Sequence, residues 1–125
     1  MKNKISQWKK LMDVSQKITG CHQIPERSFF ICGYQFPICS RCTGIIVGYV
    51  VSLILLTLKT IFPIWLCVLL CLFMVIDGGI QLLLFIMSNN FRRFITGILF
   101  GIGSFDLIIN FLIVIAKSVL SLTSI

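Results

Sequence analysis

The sequence predicts an all-α membrane protein: three transmembrane helices, an N-terminal amphipathic helix at the interface, and a Cys-rich cytoplasmic loop between them. Three observations predict it. The 125 residues are 58% hydrophobic with a mean hydropathy of +1.03, against roughly 45–50% apolar in soluble domains. Charged residues make up 12% of the chain, about half the usual soluble share of about 25%, too few to coat a soluble globule. The apolar residues are also segregated, most of them following Cys42. The length suits one domain and not two.

The first piece, residues 1–20, reads as an interfacial helix. Ile5, Trp8, Leu11, Met12 and Ile18 fall on one side, with Val14 at the edge of the stripe. Lys9, Lys10, Asp13, Gln16 and Lys17 fill the opposite face, Ser15 interrupts the apolar one, and Gly20 is a suitable stop. Too polar to span, this helix is expected on the cytoplasmic membrane surface with Trp8 in the interface; packing on the protein's own loop is the alternative. The opening MKNKISQWKK has basic residues but no apolar core and no small-residue cleavage site behind it, so it does not read as a signal peptide.

Residues 21–42 form the Cys/His loop, and 43–125 the transmembrane bundle. The spans are expected over 43–62, 64–87 and 91–116, each long enough to cross at about 1.5 Å per residue. Pro63 ends the first. Ser88-Asn89-Asn90 makes the second turn, with Asn90 as N-cap. Gly44–Gly48 and Gly97–Gly101 are G-x-x-x-G pairs that allow close helix approach.

Lys and Arg counts orient the bundle. Lys2, Lys4, Lys9, Lys10, Lys17, Arg27 and Arg41 precede the first span, and Arg92 and Arg93 lie in the second turn; Lys59 and Lys117 flank the other side. The bias places the N-terminus in the cytoplasm and the C-terminus outside, in a multi-pass cell-membrane protein. The net charge of +7 is thereby explained by topology and by attraction to anionic lipid. No basic stripe interleaved with aromatics forms a nucleic-acid face, so the expected partners are membrane lipid and a homo-oligomer or larger membrane complex.

The cysteine cluster carries the chemistry. Cys39-Ser-Arg-Cys42-Thr-Gly44 is a C-x-x-C pair followed by glycine, and Cys21-His22 stands ahead of it beside the single histidine of the chain. A cytoplasmic site disfavours stable disulfides. Thiolate and imidazole donors favour zinc, with iron second. Because neighbouring side chains ligate one ion only with a favourable backbone bend, Cys21, Cys39 and Cys42 are the better ligands, and His22 and Cys32 compete for the fourth place. A redox role for the pair is the competing reading, since Cys42 opens a helix beside Arg41. Cys67 and Cys71, four apart within the second span, read as small hydrophobes.

Asp77 and Asp106 lie inside spans, where an acid costs roughly 2.5–3.5 kcal/mol on insertion scales and normally faces a partner in the bundle interior. Asp77–Gln81 and Asp106–Asn110 repeat a four-residue spacing on one helix face. Asp77 and Gln81 are the candidate deep, catalytic site. Asp106 fits either a site or interhelical bonding.

With these residues in view, the sequence resembles a family of small predicted membrane proteins, domain of unknown function 2085. The shared features are Cys21-His22-Gln23, Glu26-Arg27-Ser28-Phe29, Cys39-x-Arg41-Cys42-Thr43-Gly44, Asp77 with Gln81, and Asn90-x-x-Arg93-x-x-Thr96-Gly97, covering about Cys21 to Gly101. The resemblance implies a helical membrane protein and supports treating the Cys-His-Gln loop and the Asp-x-x-x-Gln pair as one site. It favours His22 over Cys32 as fourth ligand, and it leaves out the amphipathic helix and Asp106. The expected function is a zinc-organised membrane protein acting on or binding a membrane-associated, anionic substrate, with Arg27, Arg41, Asn90 and Arg93 as recognition residues. A metal or ion transport subunit, a thiol redox protein using the C-x-x-C pair, and an accessory subunit are the alternatives.

Overall fold

The structure, a computed structural model, describes residues 2–85 and 89–123. Helix α1 (Lys2–Thr19) is followed by a 3-10 turn (Pro25–Arg27), strands β1 (Ser28–Ile31) and β2 (Tyr34–Cys39), and helices α2 (Ser40–Thr57), α3 (Ile64–Leu84) and α4 (Asn90–Thr123). The last three are long and apolar enough to cross a membrane. The expected turn at Ser88 lies outside the described residues.

The architecture departs from the expected all-α form in one place. The segment read as a loop folds as an antiparallel hairpin, Ile31 facing Tyr34 and Phe30 facing Gln35. Its turn is Cys32-Gly33, both with positive φ (51° and 80°), as a two-residue primed turn between right-twisted strands requires. Aromatic and β-branched residues flank it on both sides. The bulge between Ser28 and Phe30 disturbs the ladder opposite Pro37, which has no N–H to give to it.

Helix α1 packs on this hairpin. Trp8 donates its indole N–H to the Gln35 carbonyl at 2.9 Å, and its ring lies 6.0 Å from that of Tyr34. Trp8 thus makes its hydrogen bond and its ring contact with the protein's own hairpin. Ile5, Leu11, Val14 and Ile18 remain exposed.

The bundle buries small and polar groups and turns its large apolar side chains outward. Gly44, Gly48, Ser52, Gly97, Gly101, Gly103, Asp77, Arg93 and Asp106 are buried, whereas Leu53, Val75, Leu83 and Phe111 are exposed. This inversion suits lipid, where close packing and interhelical hydrogen bonds replace the hydrophobic drive. The two G-x-x-x-G pairs meet each other. A Cβ at Gly101 would stand 2.5 Å from the Ile45 carbonyl oxygen and 3.0 Å from Gly48 Cα; at Gly97 it would overlap the Arg41 carbonyl oxygen, and at Gly44 that of Phe94. Only hydrogen at these positions lets α2 and α4 touch backbone to backbone.

The first helix stops at Thr57, short of the expected residue 62, because the connection to α3 is folded onto α4. Asp106 accepts the Ser52 hydroxyl at 2.9 Å and the Phe62 backbone N–H at 3.3 Å, and Asn110 donates to the Phe62 carbonyl at 3.0 Å. Lys59 takes a left-handed backbone to make the reversal. Asp106 thus closes the far end of the bundle.

Candidate metal centre and the arginine pocket beside it

Cys39 is the N-cap of α2, its Sγ accepting the Cys42 backbone N–H at 3.5 Å. Helical geometry then carries Cys42 back over Cys39, one turn on. Cys21 reaches the pair from the chain ahead of the hairpin. It is buried, and its Sγ accepts the Cys39 backbone N–H at 3.3 Å. Gln23 holds that segment in place. With a left-handed backbone (φ 50°), it donates its amide to the carbonyls of Met12 at 2.6 Å and Pro37 at 2.8 Å, and its own carbonyl accepts from Gln35 at 2.7 Å.

The result is a triad. The Sγ atoms of Cys21, Cys39 and Cys42 all lie within 4.8 Å of one another. Thiolates around a tetrahedral zinc at about 2.3 Å stand about 3.8 Å apart, so modest contraction would seat an ion. Backbone N–H groups aimed at two of the sulfurs favour charged sulfur. Burial pushes the Cys21 thiol up, but N–H groups of Gln23 and Cys39 and the thiols of Cys39 and Cys42 together outweigh it and leave it below its ordinary value. The donor set and its spacing fit a soft divalent cation. His22 is exposed and lines the cavity of about 220 Å³ that holds Cys21, Cys39 and Cys42, but its ring nitrogens are not among the donor atoms that converge there. Cys32 is exposed at the tip of the hairpin, at the opposite end from Cys39.

Beside the triad lies a polar network that joins α2, α3 and α4. Asp77, 3% exposed, pairs with Arg41 through Oδ2 at 2.9 Å and with Arg92 through Oδ1 at 2.6 Å. The Arg92 contact is a charge contact without hydrogen-bond alignment, since Oδ1 is buried with no hydrogen-bond partner. Gln81 donates to Asp77 Oδ2 at 2.7 Å and accepts from Arg93 at 3.0 and 3.3 Å. Asp77, Gln81, Arg41 and Arg93 are thus joined in one hydrogen-bonded network. Arg27, Arg41, Arg93 and Gln81 line a cavity of about 150 Å³ whose wall includes Cys39 and Cys42.

Asn90 has a different place. Its amide donates to the Ser28 carbonyl at 3.3 Å and its Oδ1 accepts from Ser40 at 3.5 Å; Ser40 also donates to the Arg27 carbonyl at 3.0 Å. These bonds tie the hairpin root to the starts of α2 and α4 and so set where Arg27 stands. Arg92 was legible only as a topology charge; its position beside Arg93, facing the acid of α3, was the available signal. Gln35 carried no signal beyond hairpin polarity.

A family profile described as "Predicted membrane protein (DUF2085)" matches residues 21–107. The match takes in every residue of the triad and of the polar network, reaches Asp106, and leaves α1 outside. An uncharacterized protein of Methanothermobacter thermautotrophicus is 45% identical over 87 residues, covering 66% of this chain and 78% of the relative. An uncharacterized protein of Methanocaldococcus jannaschii is 40% identical over 87 residues, covering 65% of this chain and 56% of the relative, so the chain spans little more than half of that protein. No solved structure matches the chain.

Proposed function

The chain belongs to the DUF2085 family of predicted membrane proteins, and from that premise we propose that it is a zinc-organised protein of the cell membrane that binds or acts on an anionic, membrane-associated substrate. Cys21, Cys39 and Cys42 supply three thiolates, and His22, at the wall of the same cavity, the fourth ligand. The observation that carries the reading is the convergence of three sulfurs within 4.8 Å, two of them accepting backbone N–H groups. Zinc is preferred to iron because three thiolates and an imidazole suit its tetrahedral, redox-silent site. Such a site is closed, and its work here is to pin the hairpin segment over the polar interior. The Lys and Arg bias puts this end of the bundle at the cytoplasmic face.

Asp77 and Gln81 form the deep part of the site and Arg27, Arg41 and Arg93 the recognition part. Ion transport is less well supported: Asp106, the second acid a conduction path would use, has its oxygens committed to Ser52 and Phe62. The reading is tested by metal analysis of the full chain purified in detergent under reducing conditions. About one zinc per chain is expected, lost in Cys39→Ser and in Cys42→Ser. A wild-type preparation without stoichiometric metal would remove the metal reading and return the C-x-x-C pair to redox chemistry.

A further inference from the structure

We infer that the arginine pocket beside the triad takes the phosphoryl dianion of a phosphomonoester. This deepens the reading above and rests on it for one of the charges counted.

The pocket is small and strongly cationic. Its volume of about 150 Å³ has room for a phosphoryl group. Arg27, Arg41 and Arg93 form its wall with Gln81, and Arg92 stands behind Asp77. Against these four guanidinium groups stands one carboxylate, Asp77. Asp106 lies about 20 Å farther along α4 at about 1.5 Å per residue, and Asp13 and Glu26 are exposed on the head and absent from the pocket wall. Zinc held by three thiolates and a neutral imidazole adds one negative charge. Two positive charges are left over, and because Arg27 and Arg92 are exposed this surplus stands at the mouth of the pocket, where it attracts an anion. A phosphomonoester dianion cancels both; a phosphodiester or a carboxylate cancels one. Guanidinium forks suit phosphoryl oxygens geometrically, and Arg41 Nε is buried with no hydrogen-bond partner. The dianion can be a lipid headgroup or free phosphate.

Calorimetric titration of the zinc-containing full chain, in a detergent with neutral headgroups, separates the sources. The probes are dioctanoyl phosphatidic acid, inorganic phosphate and dioctanoyl phosphatidylglycerol. Phosphatidic acid binding tighter than phosphate identifies the lipid; equal affinities identify the free anion; both support the pocket. Phosphatidylglycerol is expected about tenfold weaker, and Arg41→Gln and Arg93→Gln each to weaken phosphoryl binding about tenfold or more. Phosphatidylglycerol as tight as phosphatidic acid, or no binding of either phosphoryl probe to protein that carries its zinc, overturns the inference and leaves the metal site standing. A sample without zinc fails the metal reading instead. Because the diester comparison uses wild-type protein, it decides the matter even where an arginine variant does not fold.

Discussion

Arg41 on α2 reaches Asp77 on α3 with Nη2 2.9 Å from Oδ2, and Arg92 from α4 meets the other oxygen of the same carboxylate at 2.6 Å. One buried acid therefore joins all three spans at a single point. Asp77→Asn keeps the shape and removes the charge, leaving Arg41, Arg92 and the buried Arg93 to repel one another. A loss of about 2 kcal/mol is expected, in the range for stranding a buried charged partner, read as a lower midpoint of thermal unfolding in detergent. The metal content proposed above should not change, because the triad is built from other residues.

Cobalt tests the proposed fourth ligand. Co²⁺ loaded into wild-type protein should, if the proposed site is right, give intense thiolate-to-cobalt charge transfer and visible bands of a tetrahedral site. His22→Ala should keep the charge transfer, shift the visible bands and weaken affinity by about tenfold or more, the scale on which even outer-shell partners act. Cys32→Ser should change neither. An unshifted spectrum in His22→Ala would take the imidazole out of the site.

The glycine seam makes opposite predictions for two neighbouring types of glycine. A side chain at Gly97 would overlap the Arg41 carbonyl oxygen, whereas a Cβ at Gly79 meets nothing within 4 Å. Gly97→Val should cost about 1–3 kcal/mol or more by forcing α2 from α4, and should weaken the proposed metal site as well, since the shifted backbone belongs to Arg41, next to Cys42. Gly79→Ala should stabilise by about 0.5–1 kcal/mol by removing helix-interior glycine entropy. Thermal unfolding paired with metal analysis checks both.

Asp106 serves as a test of separation between the two ends. Asp106→Asn or Ser52→Ala weakens the bonds that fold the α2–α3 connection onto α4, so each should lower stability by about 1 kcal/mol, the usual net worth of one hydrogen bond. Metal content and phosphoryl binding should stay at wild-type levels. A loss of either function would show the far end to be coupled to the site.

What the residues announced in advance follows from how local each signal is. The spans were legible because hydropathy sums over about twenty positions, and the Cys39–Cys42 pair because a helix start brings two such thiols together whatever surrounds it. Asp77 with Gln81 was legible from spacing along one helix. The hairpin was not, because its apolar run Ser28–Cys39 looks like membrane-loop sequence until Cys32 and Gly33 are seen with positive φ. The fate of Trp8 was hidden for a related reason: an amphipathic stripe states that something apolar covers it, not whether that is lipid or the protein's own strand. Asn90 is the instructive case. Its place at a helix start was evident, yet its side chain serves the hairpin root through Ser28 and Ser40, a partnership between segments fifty or more positions apart that no local pattern encodes.

The three sulfurs come from two different places in the chain: Cys21 from the stretch leaving α1, Cys39 and Cys42 from the root of α2. A cation shared among them would work as a rivet, closing the intervening hairpin into a ring fastened to the first membrane helix. Withdrawing the cation would leave the helices assembled through their glycines while the ring opened. Chelator-treated protein should then be cut by trypsin after Arg27 well before the bundle yields. A cell short of the metal would hold the same anchored protein with its cap undone.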